Sequence, residues 1–379
     1  MSAFGTEGAE TVERSGPQGP LTGIKVLEFG ALGPVPFCAM LLADMGADVV
    51  HIARPGSARD AGDDVTLRGR RILVLDLKQE SSKQIVRELA ARADILLEGN
   101  RPGVMERLGL GPEDMRAINP RLIYGRMTGW GQDGPLATTS GHDINFIALT
   151  GALDAIGTDQ GPVPPLNLVG DYGGGAMFMA FGVLCAFIEA LRSRQGQVID
   201  GAMIDGAALL MAQSCSQLAK GDLPARRSDN PFGGGAPWYT TYETSDGKRV
   251  AIGAVEEKFW QELLVRLGID PATLPAREKR ENWDCIRDVL TRTFRQSTRA
   301  HWTQMFRGSD GCLTPVLELS EAPAHEHMAA RGCFTKLNGM MQPAPAPRLS
   351  RTPGHIREAV AEPQSAAAVL RDWGSNLIV

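Results

Sequence analysis

This chain has no long uninterrupted apolar stretch, no paired cysteines and no surplus of positive charge, and each absence removes a class of function. The longest apolar run, Ala176 to Ile188, stops at Glu189. A membrane span needs roughly 20 such residues, so the run reads as a buried helix and no membrane insertion is expected. The six cysteines, Cys38, Cys185, Cys215, Cys285, Cys312 and Cys333, form no C-x-x-C pair. That spacing points to reduced thiols rather than a disulfide framework or a zinc site. His325-x-His327 lacks a third ligand nearby, so no metal is expected. A formal charge of −5 with 22% charged residues gives no broad basic field, and a nucleic-acid partner is not expected. G-x-S-x-G, H-E-x-x-H and Walker A motifs are missing too, which weakens serine hydrolase, zincin and P-loop readings. Met1 to Pro20 is polar and glycine-rich with Glu7, Glu10 and Glu13, unlike a signal peptide, and reads as a loose arm. The last residues, Asn376-Leu377-Ile378-Val379, spell no address of the S-K-L kind, leaving the cytoplasm as the expected location.

What is present is ordinary globular text, 43% apolar over 379 residues, more than one core usually serves. From Gly23 onward, short β-rich runs alternate with helical ones. Ile24 to Phe29, Asp48 to Ile52, Ile72 to Asp76, Ile95 to Glu98, Leu122 to Gly125 and Gln197 to Asp200 read as strands. Helical text lies between them, as at Phe37 to Met45 and Ser81 to Arg92. Such alternation predicts an α/β fold with a Rossmann-like parallel sheet covered on both faces. The texture changes at Gly221 to Pro237, which carries Gly233-Gly234-Gly235 and reads as a linker. Tyr239 to Thr244 and Arg249 to Ile252 flank Asp246-Gly247, a hairpin signal. The expected organisation is a large α/β domain over residues 20–220, a linker at 221–237 and a smaller α+β domain at 238–325. Residues 326–379 are expected to return and pack on the large domain.

Open parallel sheets bind ligands beyond the carboxyl ends of their strands. Here the first such turn is Gly30-Ala31-Leu32-Gly33-Pro34, without the G-x-G-x-x-G fingerprint, and Arg54 stands where an acidic ribose partner would follow the second strand. An arginine there favours a phosphorylated ribose; NADP and coenzyme A both carry one. Lys78, Arg101 and Arg107 add cations near other strand ends. Two residues stand out for chemistry. His142, in Ser140-Gly141-His142-Asp143-Ile144-Asn145-Phe146, sits at the start of an apolar helix, where backbone amides can hold a developing oxyanion. Asp171 enters the most apolar helix of the chain. It suits an N-cap, and burial there would raise its pKa and let it donate a proton as well as accept one. Glu256, leaving the hairpin, is a third candidate, although Glu257 beside it suits a solvated turn. These residues alone describe a cytosolic enzyme for a phosphate-bearing ligand with a His–Asp proton-transfer pair, and do not fix the reaction.

Gly141-His142-Asp143-Ile144-Asn145-Phe146 and Pro164-Pro165-Leu166-Asn167-Leu168-Val169-Gly170-Asp171 resemble the alpha-methylacyl-CoA racemases of the family III CoA-transferase superfamily. Arg101-Pro102-Gly103-Val104-Met105-Glu106-Arg107, Met127-Thr128-Gly129-Trp130-Gly131-Gln132 and Gly234-Gly235-Ala236-Pro237 with Gly253-Ala254-Val255-Glu256 carry the same likeness, which runs from about Pro20 to Arg351. The resemblance implies an interlocked homodimer acting on 2-methylacyl-CoA. His142 and Asp171 would exchange the α-proton on opposite faces, Glu256 would pair with His142, and backbone amides near Asp143 would hold the thioester oxygen. Coenzyme A, as part of the substrate and with no separate cofactor, would lie on Arg54, Leu75, Asp76, Leu77, Lys78, Gly99, Asn100, Arg101, Arg107, Gly141, Ile144, Asn145 and Phe146. The alternative within the superfamily is a CoA-transferase in which Asp171 attacks the thioester as a nucleophile. Pro231-Phe232-Gly233, Trp238 and Glu257 depart from the family pattern, Glu257 standing where proline is usual.

Overall fold

Val26 and Leu27 are neighbours in sequence, and both are fully buried. Side chains alternate across a strand, so two buried neighbours require cover on both faces of the sheet. The computed structural model describes residues 19–56, 64–224, 226–358 and 363–377. The arm expected over Met1 to Pro20 lies outside them except for its last two residues, and Ile378 and Val379 lie outside them too. Six parallel strands form the main sheet: β1 (Lys25–Phe29), β2 (Asp48–Ala53), β3 (Arg70–Val74), β4 (Ile95–Glu98), β5 (Ile123–Thr128) and β6 (Val198–Ala202). Their order is β3-β2-β1-β4-β5-β6, the doubly wound arrangement that reverses direction between β1 and β4.

Each face has its own core. Leu27, Val50, Leu73, Leu96 and Tyr124 pack under Ile85, Val86 and Leu89 of the helix Glu80–Ala90 and under Val369, Leu370 and Trp373 near the C-terminus. Val26, Val49, Ile95, Leu97 and Ile123 face the helices Pro34–Asp44 and Phe178–Ser193 through Val35, Ala39, Leu42, Met179 and Val183. The chain end is pinned to the sheet edge by polar contacts. Arg71 reaches Gln364 at 2.9 Å and Asp372 at 2.7 Å, and the Trp373 indole N–H donates to Asp48 at 2.8 Å.

The apolar run read as a buried helix is part of something longer. A π-helix over Leu168–Met177 leads directly into the helix Phe178–Ser193, giving 26 residues that are long and apolar enough to span a bilayer. Length therefore does not exclude a span, as the sequence reading supposed. Nor is the helix buried all round: Met179, Val183, Ala186 and Ala190 enter the core, whereas Phe181, Ile188 and Leu191 are exposed. The N-cap position that Asp171 suits by sequence, beside its candidacy for proton transfer, is not the one it occupies. Asp171 instead lies within the first turn of the π-helix, because helical backbone starts three residues earlier, at Leu168. Glycines allow this segment to pack closely. A Cβ on Gly206 would lie 1.9 Å from the Gly174 carbonyl oxygen, so the helix Met203–Leu210 meets the π-helix backbone to backbone.

The chain from Tyr239 to Val316 builds a second sheet. Strands β7 (Tyr239–Glu243), β8 (Arg249–Gly253) and β9 (Leu313–Val316) are antiparallel, in the order β9-β8-β7. Gly247 in the Asp-Gly turn takes φ +71°, a conformation that favours glycine. Val250, Ile252, Trp260, Leu263, Leu290 and Phe294 form a separate core against the helices Glu257–Leu267 and Trp283–Phe294.

Beneath the carboxyl end of β1 lies a buried polar cluster. Glu28 and Arg70 are both fully buried, with Arg70 Nε 3.0 Å from Glu28 Oε2. His51 Nδ1 lies 3.1 Å from the same oxygen, and the Arg70 guanidinium also donates to the Pro36 carbonyl at the start of the next helix. Desolvation would raise the Glu28 pKa, but Arg70 and His51 more than offset it, and the carboxyl sits below its ordinary value of 4.5. A lowered carboxyl pKa contributes stability that is present above pH 4.5 and lost as acid protonates the folded state. Replacing Arg70 by Ala leaves Glu28 buried without its guanidinium. We expect a loss of about 3–5 kcal/mol at neutral pH, read as a lower urea midpoint, and a variant that loses less stability on acidification than the parent.

Candidate active site

The sheet reverses order between β1 and β4, so the loops after them, Gly30–Gly33 and Gly99–Arg101, diverge and leave a crevice. That cleft measures about 660 Å³ and is lined by both loops together with His51, Arg54, Gly141, His142, Phe146 and Asp171. A second cleft of about 570 Å³ shares Gly30, Arg54 and Asn100 with it and continues over Leu75, Asp76, Leu77, Lys78 and Arg107. Most of the residues expected from the sequence thus meet along one groove, with His142 and Asp171 at one end and Lys78 and Arg107 at the other.

His142 is the residue before the helix Asp143–Leu149 and has extended backbone (φ −130°, ψ 173°). Its amide donates to Asn145 Oδ1 at 3.0 Å, which fixes the entry to the helix, while its side chain stays exposed to the cleft. Phe146 holds the helix down. Its ring is buried, lies edge-on to Trp130 with centroids 4.8 Å apart, and occupies the space a side chain on Gly129 would need. Asp171 comes from the π-helix. Its amide donates to Asp143 Oδ2 at 2.7 Å, and its own Oδ2 accepts from Asn167 at 3.4 Å. Gly33, at φ +71°, lets the first loop pass so close that a Cβ there would lie 3.1 Å from Asp171 Oδ2. Desolvation, reinforced by the nearby Asp143 charge and opposed by Asn167 and His142, holds the Asp171 carboxyl above the usual aspartate range.

A buried carboxylate carries the second loop. Glu98, at the end of β4, accepts from the Asn100 amide at 2.6 Å and from Arg126 at 3.2 Å, and Arg126 also reaches Glu106 at 2.9 Å. Burial raises the Glu98 pKa against these partners. From this loop Asn100 accepts from Arg54 at 3.4 Å, and Arg101 donates to Ser140 at 2.5 Å. Asp76 turns the neighbouring loop by accepting from the Lys78 amide at 3.0 Å.

Four expected residues are not in these linings. Asp143 is buried behind the cleft, where its carboxylate accepts from the Asp171 amide. Ile144 and Asn145 are exposed on the helix after His142 and line neither cleft, because the helical turn carries them away from it. Glu256 is exposed at the turn between β8 and the helix Glu257–Leu267, near Cys312, and does not line the cleft that holds His142. Conversely, His51 was read only as a strand residue, yet it lines the cleft above Glu28. Its place two residues before Ala53-Arg54 could have signalled this only if its face of the strand were known.

The sequence profile of CoA-transferase family III matches residues 21–365. The chain belongs to CoA-transferase family III. Within the family it is 43% identical over 359 residues to the mouse (Mus musculus) protein named alpha-methylacyl-CoA racemase, covering 93% of each chain. It is 44% identical over 335 residues to the human (Homo sapiens) protein of that name, covering 88% of this chain and 87% of that one. The solved CAIB/BAIF family protein from Brucella suis superposes with a TM-score of 0.80 at 24% identity, over 94% of this chain and 100% of that chain. This last likeness speaks for the fold alone.

Two substitutions test how the family III site is built. A raised carboxyl pKa penalises the folded state wherever the group is ionised, so stability is lost as pH rises through the folded pKa. Asp171→Asn removes that penalty. We expect a higher Tm at pH 7, with the gain shrinking on acidification toward the ordinary aspartate value of 3.8. A Cβ on Gly170 would lie 2.6 Å from Asp143 Oδ2, so Gly170→Ala displaces the carboxylate that accepts from Asp171. The expected loss is about 1–3 kcal/mol, measured by denaturant unfolding.

Proposed function

We propose that this family III chain is an alpha-methylacyl-CoA racemase that inverts the α-carbon of 2-methylacyl-CoA thioesters by two-base proton exchange. One observation carries the reading: a histidine and an aspartate from separate helix starts line the same cleft at the carboxyl edge of the sheet. A thioester α-proton is weakly acidic, so removal needs a base and a place for the charge. In one direction the His142 imidazole takes the α-proton. The electron pair of the broken C–H bond forms the C=C bond of an enolate and the charge moves to the thioester oxygen, facing the backbone N–H groups at the start of the helix Asp143–Leu149. Protonated Asp171 then delivers a proton to the opposite face, and the reverse direction exchanges the two roles. The raised pKa of Asp171 favours the neutral acid this cycle requires.

Arg54, Lys78, Arg101 and Arg107 supply the cations for the phosphates of coenzyme A, with Leu75 and Leu77 beside them for its apolar parts. No cofactor beyond the coenzyme A of the substrate enters the cycle. The exposed apolar residues Phe181, Ile188, Leu191, Leu209 and Leu210 form a face suited to a second copy of the chain. In such a homodimer the Glu256 of one copy would stand beside the His142 of the other. Residence in the cytoplasm belongs to the same reading.

The test is isotope exchange. A single enantiomer of a 2-methylacyl-CoA incubated in deuterated water should gain α-deuterium and lose optical purity with no acceptor acid present. His142→Ala and Asp171→Ala should each abolish racemisation, and a full rate in either variant overturns the assignment. Acyl exchange that requires a free carboxylic acid would instead indicate transferase chemistry at Asp171.

A further inference from the structure

Glu256 is exposed, at the turn between β8 and the helix Glu257–Leu267. An exposed carboxylate on a turn is oriented only as well as the backbone that carries it. That backbone is gripped from below by one side chain. Arg277 donates to the Ala254 carbonyl at 3.2 Å and to the Val255 carbonyl at 2.9 Å, the two peptides immediately before Glu256. It also pairs with Glu257, the residue immediately after, at 3.0 Å. Its guanidinium lies 5.0 Å from the Trp238 ring centre and 5.5 Å from that of Trp260, and its side chain is only 13% exposed. The contacts bracket Glu256 on both sides without touching its carboxylate. Trp238 and Glu257, two positions at which the sequence departs from the family pattern, are both partners of Arg277.

We infer that Arg277 is a positioning residue for Glu256, holding the turn that presents this carboxylate to the reacting histidine. The inference rests on the proposed racemase reading, in which Glu256 serves His142 of a second copy. An arginine fork that joins two consecutive carbonyls is pre-organised, so little freedom is lost per hydrogen bond formed. The turn could be stiffened another way. Glu257 is the first residue of its helix, where proline's fixed φ fits and its missing N–H removes no helical bond. Glu256 has φ −72° and ψ 145°, the extended geometry that a following proline requires.

The experiment uses the full-length protein and deuterium exchange into a 2-methylacyl-CoA, with kcat and KM measured separately. Arg277→Gln should lower kcat by about tenfold, the scale of a small misplacement of a reacting group, with KM nearly unchanged. The same substitution in a Glu256→Gln background should lower kcat no further, and adding Glu257→Pro to Arg277→Gln should recover most of the lost rate. An equal fall in both backgrounds, or no rescue by proline, overturns the positioning role and leaves Arg277 a general support of the second sheet. If Glu256→Gln is slow but Arg277→Gln is not, the positioning role alone fails. If Glu256→Gln retains the parent rate, the assignment of Glu256 fails and takes this inference with it. Should Arg277→Gln not fold, Arg277→Lys, which keeps the cation but not the paired carbonyl contacts, must show the same dependence on Glu256.

Discussion

The hydrogen bond from the Asp171 amide to the Asp143 carboxylate, 2.7 Å long, joins two segments that come to the cleft from different directions. One is the helix that begins after His142; the other is the π-helix that carries Asp171. The carboxylate is buried, where an amide–carboxylate bond is strong and an unmade one is expensive. The relative placement of the two side chains therefore follows from this contact together with the lack of a Cβ at Gly170, which leaves room for it. A wider helical turn at Asp171 is consistent with the tendency of π-helical segments to occur at functional sites.

Beneath this pair the sheet edge is held by two buried carboxylates, each used to shape a loop. Glu28 with Arg70 and His51 braces the loop after β1, and Glu98 with Arg126 and the Asn100 amide braces the loop after β4. Both networks sit at the carboxyl ends of β1 and β4, where the strand order reverses. Buried ion pairs add little net stability once desolvation is counted. Their value here is geometric, since they hold two diverging loops at the mouth of one groove. The groove then runs from His142 and Asp171 to a cationic end, an arrangement that fits the proposed acyl-CoA thioester with its phosphorylated tail.

The second sheet brings a different constraint. Its core is separate from those of the main sheet, and Glu256 does not line the cleft that holds His142 in the same chain. In the proposed homodimer this carboxylate serves the histidine of the other copy, and the exposed apolar residues along the Phe178–Ser193 and Met203–Leu210 helices offer a surface for that contact. A site completed between copies would explain why this carboxylate stands on an exposed turn with a rigid underside.

Much of the fold was legible in the chain itself. Runs such as Asp48 to Ile52 and Ile95 to Glu98 are apolar on both faces, and only a sheet covered on both sides buries such runs. His142 and Asp171 stood out because glycine-rich text beside an apolar helix marks a place where backbone and side chain approach a ligand closely. Local sequence could not supply what depends on contacts between distant segments. The helix boundary at Leu168, the exposure of Phe181 and Ile188, the removal of Ile144 and Asn145 from the cleft and the presence of His51 in it all depend on which face meets which neighbour. Periodicity determines that a residue lies on a strand or a helix; only packing against Glu28, Gly33 or Gly206 decides what that residue can reach.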